Sequence, residues 1–177
     1  MAVTYEQVKA ALDPEEPAYT RAANELGEAA LPHLSRLIAG DHPMLASKAA
    51  YLAGLIGTAG AADVLHRAAR STSARVRVAA AAAAAKLPAD HASDVLVDLV
   101  DDNDAGVQKV AIKSVPDGAS DVLVARVASL GGGLADTVVR TLAREVMARL
   151  PAPTGGPDVA DAATEAAPAK KPRKRKK

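Results

Sequence analysis

The chain has 177 residues, of which 49% are hydrophobic and 24% charged, and its formal net charge is +1. It contains no Cys, Trp or Phe, which excludes disulfides and Cys-based metal sites, and its three Tyr argue against recognition of nucleic acid by base stacking. No N-terminal basic-plus-apolar stretch suggests a signal peptide, so a cytoplasmic location is the expectation.

In chain order, Thr4-Tyr5-Glu6-Gln7 reads as a capping box, with Val3 and Val8 placed as a hydrophobic staple. A short capping helix over about 5–12 should end before Pro14. Glu16 to Leu26 and Ala29 to Ala39 read as a first, looser helix pair. Three further pairs follow: 44–56 with 60–70, 74–87 with 91–101, and 105–115 with 118–130. Gly57, Gly60, Pro88, Pro116 and Gly118 punctuate them. Ala79 to Ala85 is unbroken alanine, a strong helix former whose small side chains let helices approach closely. It is far short of the roughly 20 apolar residues that span a membrane. Leu134, Val138, Leu142, Val146 and Leu150 form the stripe of a last capping helix, with Asp136–Arg140 and Glu145–Arg149 as i,i+4 pairs on its polar side.

The pairs repeat. Leu45, Val76 and Val107 are 31 residues apart, as are Ala49, Ala80 and Ala111. Leu34 precedes Leu65, and Ala30 precedes Ala61, by the same step. The triplet Asp63-Val64-Leu65 returns as Asp94-Val95-Leu96 and as Asp121-Val122-Leu123, at steps of 31 and then 27. A shortened third first-helix accounts for the smaller step. Each triplet Asp is expected in the first turn of its helix, where the positive dipole end favours a carboxylate by about 0.3–1 kcal/mol.

Composition changes after Leu150. Residues 151–169 are Pro, Ala, Gly, Thr and acids without periodicity, the expected composition of a disordered linker. The chain closes on Lys170, Lys171, Arg173, Lys174, Arg175, Lys176 and Lys177, seven basic residues in the last eight. Of 22 Lys and Arg, 15 remain before residue 170 against 21 Asp and Glu, so a body of −6 carries a tail of +7.

The helix-pair period, together with Arg75-Val76-Arg77-Val78-Ala79-Ala80-Ala81 at the start of a first helix, resembles HEAT repeats over roughly residues 16–130. The closest flavour is the short bacterial type also found in phycobilisome lyases. The resemblance implies an all-α fold, a right-handed α-solenoid of about four HEAT-like helix pairs with terminal capping helices. It also implies a scaffold or adaptor whose second helices line the concave face. The expected organisation is a solenoid over 1–150, a linker over 151–169 and a basic tail over 170–177.

No catalytic constellation stands out. His33, His42, His66 and His91 lack the i,i+4 spacing of a helical metal site. Asp101-Asp102-Asn103-Asp104-Ala105-Gly106 fails as a calcium loop at Ala105 and Ile112 and reads as an inter-repeat turn with a helix N-cap. Gly131-Gly132-Gly133 is a break before the last helix, since no Lys-Ser/Thr follows as in a phosphate loop. Neither cofactor nor metal is expected. Arg36 and Arg67 share one column 31 apart; Asp98 holds the third place, and Arg126 returns near it once the short step is allowed for. These three are candidate groove contacts to phosphate or an acidic partner. The seven tail residues are the candidate nucleic-acid contacts, sequence-neutral and salt-sensitive. The expectation is thus a non-enzymatic scaffold that binds a protein in its groove and DNA or RNA through its tail, near the nucleoid if DNA is the target. The alternatives are a lyase-like chaperone for a cofactor-bearing protein and a DNA-processing enzyme on the same scaffold. The acidic body, without Trp or Phe, argues against the latter.

Overall fold

Thr4 begins the fold as the capping box predicts. Its hydroxyl accepts from Gln7 N, and the Gln7 side chain accepts from Thr4 N at 2.9 Å. The computed structural model describes residues 2–133 and 135–150, and in them it shows ten α-helices and one 3-10 turn. They are α1 (Tyr5–Leu12), α2 (Tyr19–Leu26), a 3-10 turn (Gly27–Ala30), α3 (Leu31–Ile38), α4 (Pro43–Ile56), α5 (Ala59–Ala69), α6 (Ala74–Ala84), α7 (Ala89–Leu99), α8 (Ala105–Lys113), α9 (Asp121–Gly132) and α10 (Thr137–Arg149).

The helices stack as two layers. In one, α2, α4, α6, α8 and α10 pack each against the next; in the other, α3, α5, α7 and α9 do the same. Each element meets only its near neighbours, the arrangement of a solenoid. The core runs continuously between the layers, and Leu, Val, Ile and Ala supply it.

Alanine sets the helix spacing within the first layer. The α4–α6 contact is the most extensive between any two described helices. Ala80, Ala81, Ala83 and Ala84 of α6 are buried, as are Ala49, Ala50, Ala53 and Gly54 of α4, and Gly54 meets Ala83 directly. A Cβ placed on Gly54 would lie 2.7 Å from Ala83 Cβ, so the backbones approach as closely as glycine opposite alanine permits. Gly57 then ends α4 at φ +68°, a left-handed turn that a side chain would strain.

Burial resolves the repeat register differently from the triplets. Ala30, Ala61, Ala92 and Leu123, all 31 apart, are fully buried, and so are Leu34, Leu65, Leu96 and Val127. The structural period is therefore 31 throughout. The third triplet is a coincidence displaced by four residues, and Val122 accordingly stands exposed where Val64 and Val95 are buried. The same register corrects the acid placement. Asp121 lies in the first turn of α9, but Asp63 and Asp94 fall in the second turns of α5 and α7, beyond the strongest reach of the dipole.

The last helix also departs from expectation. Its buried residues are Val139, Ala143 and Val146, while Val138 is 55% exposed; Leu134 lies outside the described residues. The predicted i,i+4 pairs are replaced by other bonds. Asp136 caps α10 through Val138 N, Arg140 bonds Thr137 Oγ1, and Arg149 donates to Val115 O at 2.7 Å. No described helix is long and apolar enough to cross a membrane.

Candidate interaction surface

The second-helix layer presents the side chains singled out as groove contacts. Arg36 leaves α3 exposed and lies over the Tyr5 ring, 4.5 Å from its centroid. Tyr5 in turn meets His33 edge-on at 6.3 Å, and His33 Nε2 lies 3.0 Å from Val3 O. Arg36 is thus half committed to tying α1 onto α3. Arg67, one repeat on, is exposed on the adjacent helix α5 and makes no ion pair among the described residues. It lines a shallow groove of about 390 Å³ with Leu31 and Ser35 of α3 and Asp63 of α5.

Arg126 does not join them. By the period of 31 it occupies the column of Val64 and Val95, not that of Arg36 and Arg67. It ion-pairs with Asp101, which follows α7. Between it and Arg67 lies α7, whose exposed residues Asp90, Asp94 and Asp98 succeed one another at i,i+4. The layer is therefore basic at α3 and α5 and acidic at α7. Like charges at this spacing destabilise an isolated helix by a few tenths of a kcal/mol per pair, so packing sustains α7 rather than its charges.

Sequence reasoning missed the polar bonds that fix one repeat on the next. Arg77 on α6 grips Asp102 with two parallel bonds, Nε to Oδ2 at 2.7 Å and Nη2 to Oδ1 at 2.9 Å. Its Nη1 donates to Ser71 O at 2.9 Å, and Nη2 also reaches Asn103 Oδ1. The guanidinium bonds hold the Asp102 carboxyl below the ordinary value of 3.8; partial burial opposes that shift and the bond from Asp104 N assists it. The acidic run thus divides its labour. Asp101 takes Arg126, Asp102 takes Arg77, and Asp104 caps α8 through Gly106 N and Val107 N. The N-cap was legible in the sequence; the bidentate partner, 25 residues away, was not. Ser93 is the one buried polar residue among those described. Its hydroxyl donates to Ala89 O and accepts from Ser120 N at 3.0 Å, joining α7 to the start of α9. Lys48 similarly donates to the carbonyls of Leu12 and Pro14, closing α4 onto the first helix.

Among the described residues no group of three or more His, Asp or Glu is arranged to hold a metal ion. The seven basic tail residues, Lys170 to Lys177 without Pro172, lie outside the described residues, as does the 151–169 segment.

Two layers of antiparallel helix pairs at a fixed period, packed neighbour to neighbour, define an α-helical repeat scaffold. Residues 30–115 match the family model for HEAT repeats, and this stretch of the chain is built of HEAT repeats. The matched region spans α3 to α8 and includes the Arg77–Asp102 grip. Comparison with curated proteins finds no match. HEAT repeats form a generally non-catalytic scaffold that commonly mediates protein interactions.

Proposed function

We propose that this protein is a two-part adaptor. The solenoid holds a protein partner on its second-helix layer, and the tail from Lys170 contacts nucleic acid without regard to sequence. The observation that carries the reading is the separation of charge. Seven cations stand in the last eight residues, whereas residues 1–150 hold 15 basic against 18 acidic residues once Asp158, Asp161 and Glu165 are set aside. Phosphate attracts the tail through counterion release and is repelled by a net-acidic body. On the solenoid, Arg67 and Arg36 on adjacent helices, beside the acidic α7, favour a protein partner that carries both signs over a continuous polyanion.

The proposed nucleic-acid contacts are Lys170, Lys171, Arg173, Lys174, Arg175, Lys176 and Lys177. The proposed protein contacts are Arg36 and Arg67, with Arg126 engaged instead by Asp101. Two short DNA duplexes of unrelated sequence and equal length test the first assignment by fluorescence anisotropy. Equal affinity within about threefold is expected, and a preference beyond tenfold would show base readout and sink it. Replacing Arg36 and Arg67 by Glu leaves DNA affinity within about twofold if the tail alone binds; a loss beyond tenfold moves the nucleic-acid site onto the solenoid.

A further inference from the structure

A second surface lies on the opposite layer, between α8 and α10. It is a groove of about 350 Å³ bounded by Lys109 and Lys113 on α8 and, on α10, by Val138, Leu142 and Glu145 together with two threonines. Val138 is 55% exposed, one of three large apolar side chains so placed among the described residues. The helix does not need it for its own packing, which Val139, Ala143 and Val146 provide. Lys109, Lys113 and Glu145 make no ion pair among the described residues, although they line one groove. The groove thus offers unpaired cations on its α8 side, and an apolar pair with an unpaired carboxylate on its α10 side.

Such a surface is complementary to itself. A two-fold rotation lays the apolar pair of one copy on that of another and sets the α10 side of each against the α8 side of the other. Each Glu145 then meets the lysines of the other copy, and Val138 meets its equivalent. Opposite charges flanking an apolar centre also fix the orientation, because turning the second copy end for end would set lysines against lysines and Glu145 against Glu145. We infer that this groove is a homodimer interface, its occupant a second copy of the same chain seated through α8 and α10. It lies in the layer opposite Arg36 and Arg67, so it leaves the proposed partner surface open and would present two solenoids and two basic tails in one particle. Two linked tails would hold DNA more tightly than one by raising their effective concentration.

Sedimentation velocity of the full chain over a concentration series, at physiological salt, tests this. The expected result is a mass that rises from 18.0 kDa towards twice that value. Glu145→Lys alone and Lys109→Glu with Lys113→Glu should each stay monomeric, because like charges then face one another. Mixing those two variants one to one should restore the dimer, a rescue that misfolding of either could not produce. Val138→Asp should abolish association while circular dichroism stays unchanged, since the side chain is not part of the core. A chain monomeric up to several hundred micromolar overturns the inference. So does a dimer that survives Val138→Asp, or a mixture of the charge variants that remains monomeric.

Discussion

Gly54→Ala isolates the spacing that holds the two central first-helices together. In an exposed helix interior this change stabilises by about 1 kcal/mol, because alanine loses less backbone entropy on folding. At Gly54 the new Cβ would stand 2.7 Å from Ala83 Cβ and 2.7 Å from Ala83 O. Carbon atoms pack at about 3.5–4.0 Å, so α4 and α6 must part by roughly 1 Å along their longest contact. Overpacking of this kind costs about 1–3 kcal/mol, and the backbone oxygen cannot rotate away, which places this case near about 3. The net is about 2 kcal/mol of destabilisation, or about 4–8 °C in Tm for a chain of this size. Gly132→Ala is the matched control, since a Cβ there meets nothing within 4 Å. Thermal and urea denaturation of both variants read the difference directly. Equal Tm for Gly54→Ala and Gly132→Ala would refute the close-approach argument.

Three further changes probe the polar bonds. Ser93→Ala strands the Ser120 N–H, and should cost about 1–3 kcal/mol by urea denaturation, whereas exposed Ser129→Ala should cost under about 0.5. Asp102→Asn removes the charge that Arg77 grips and should cost about 2–3 kcal/mol at neutral pH. The sign of its pH dependence follows from a folded-state pKa depressed below 3.8: the stabilisation is full above about pH 5 and is lost as pH falls through the folded value. Denaturation midpoints of wild type and Asp102→Asn should therefore converge towards pH 3, and a gap that stays constant there would refute the assignment. Thr4→Ala opens the capping box and should raise amide exchange in α1 about fivefold, for about 1 kcal/mol, with little change in α6 to α8.

How far the sequence foretold this structure depends on the range of the interaction involved. Local rules succeeded. The Thr4 capping box and the bounds of α1 follow from contacts within four residues, and the columns at Ala49 and Leu34 follow from helical spacing. The triplet misled because Asp-Val-Leu is short and common in composition, and only burial could show that Val127, not Leu123, continues the column of Leu65 and Leu96. Arg126 fell with it, as its assignment rested on that shifted step. In α10, Val138 and Val139 are equally apolar, and the choice of buried face rests on how α8 and α9 meet the helix. The Arg77–Asp102 grip was invisible for the same reason: a bond across 25 residues needs the superhelix already built. The matched family model covers α3 to α8 and is silent on their surface, so the candidate contacts rest on charge and exposure at Arg36 and Arg67 and on composition in the tail.

The division of labour between solenoid and tail is tested most directly by DNA binding of the full chain and of a chain ending at Leu150, across a salt series. The shorter chain keeps every described helix and a net charge of −3, from 15 basic against 18 acidic residues. With up to seven phosphate contacts from one tail, the full chain at concentrations where it is monomeric should show a slope of log K against log salt near −6, from about −0.9 per contact. The shorter chain should show no measurable affinity. Binding by the shorter chain within tenfold of the full chain, with an unchanged slope, would contradict the account.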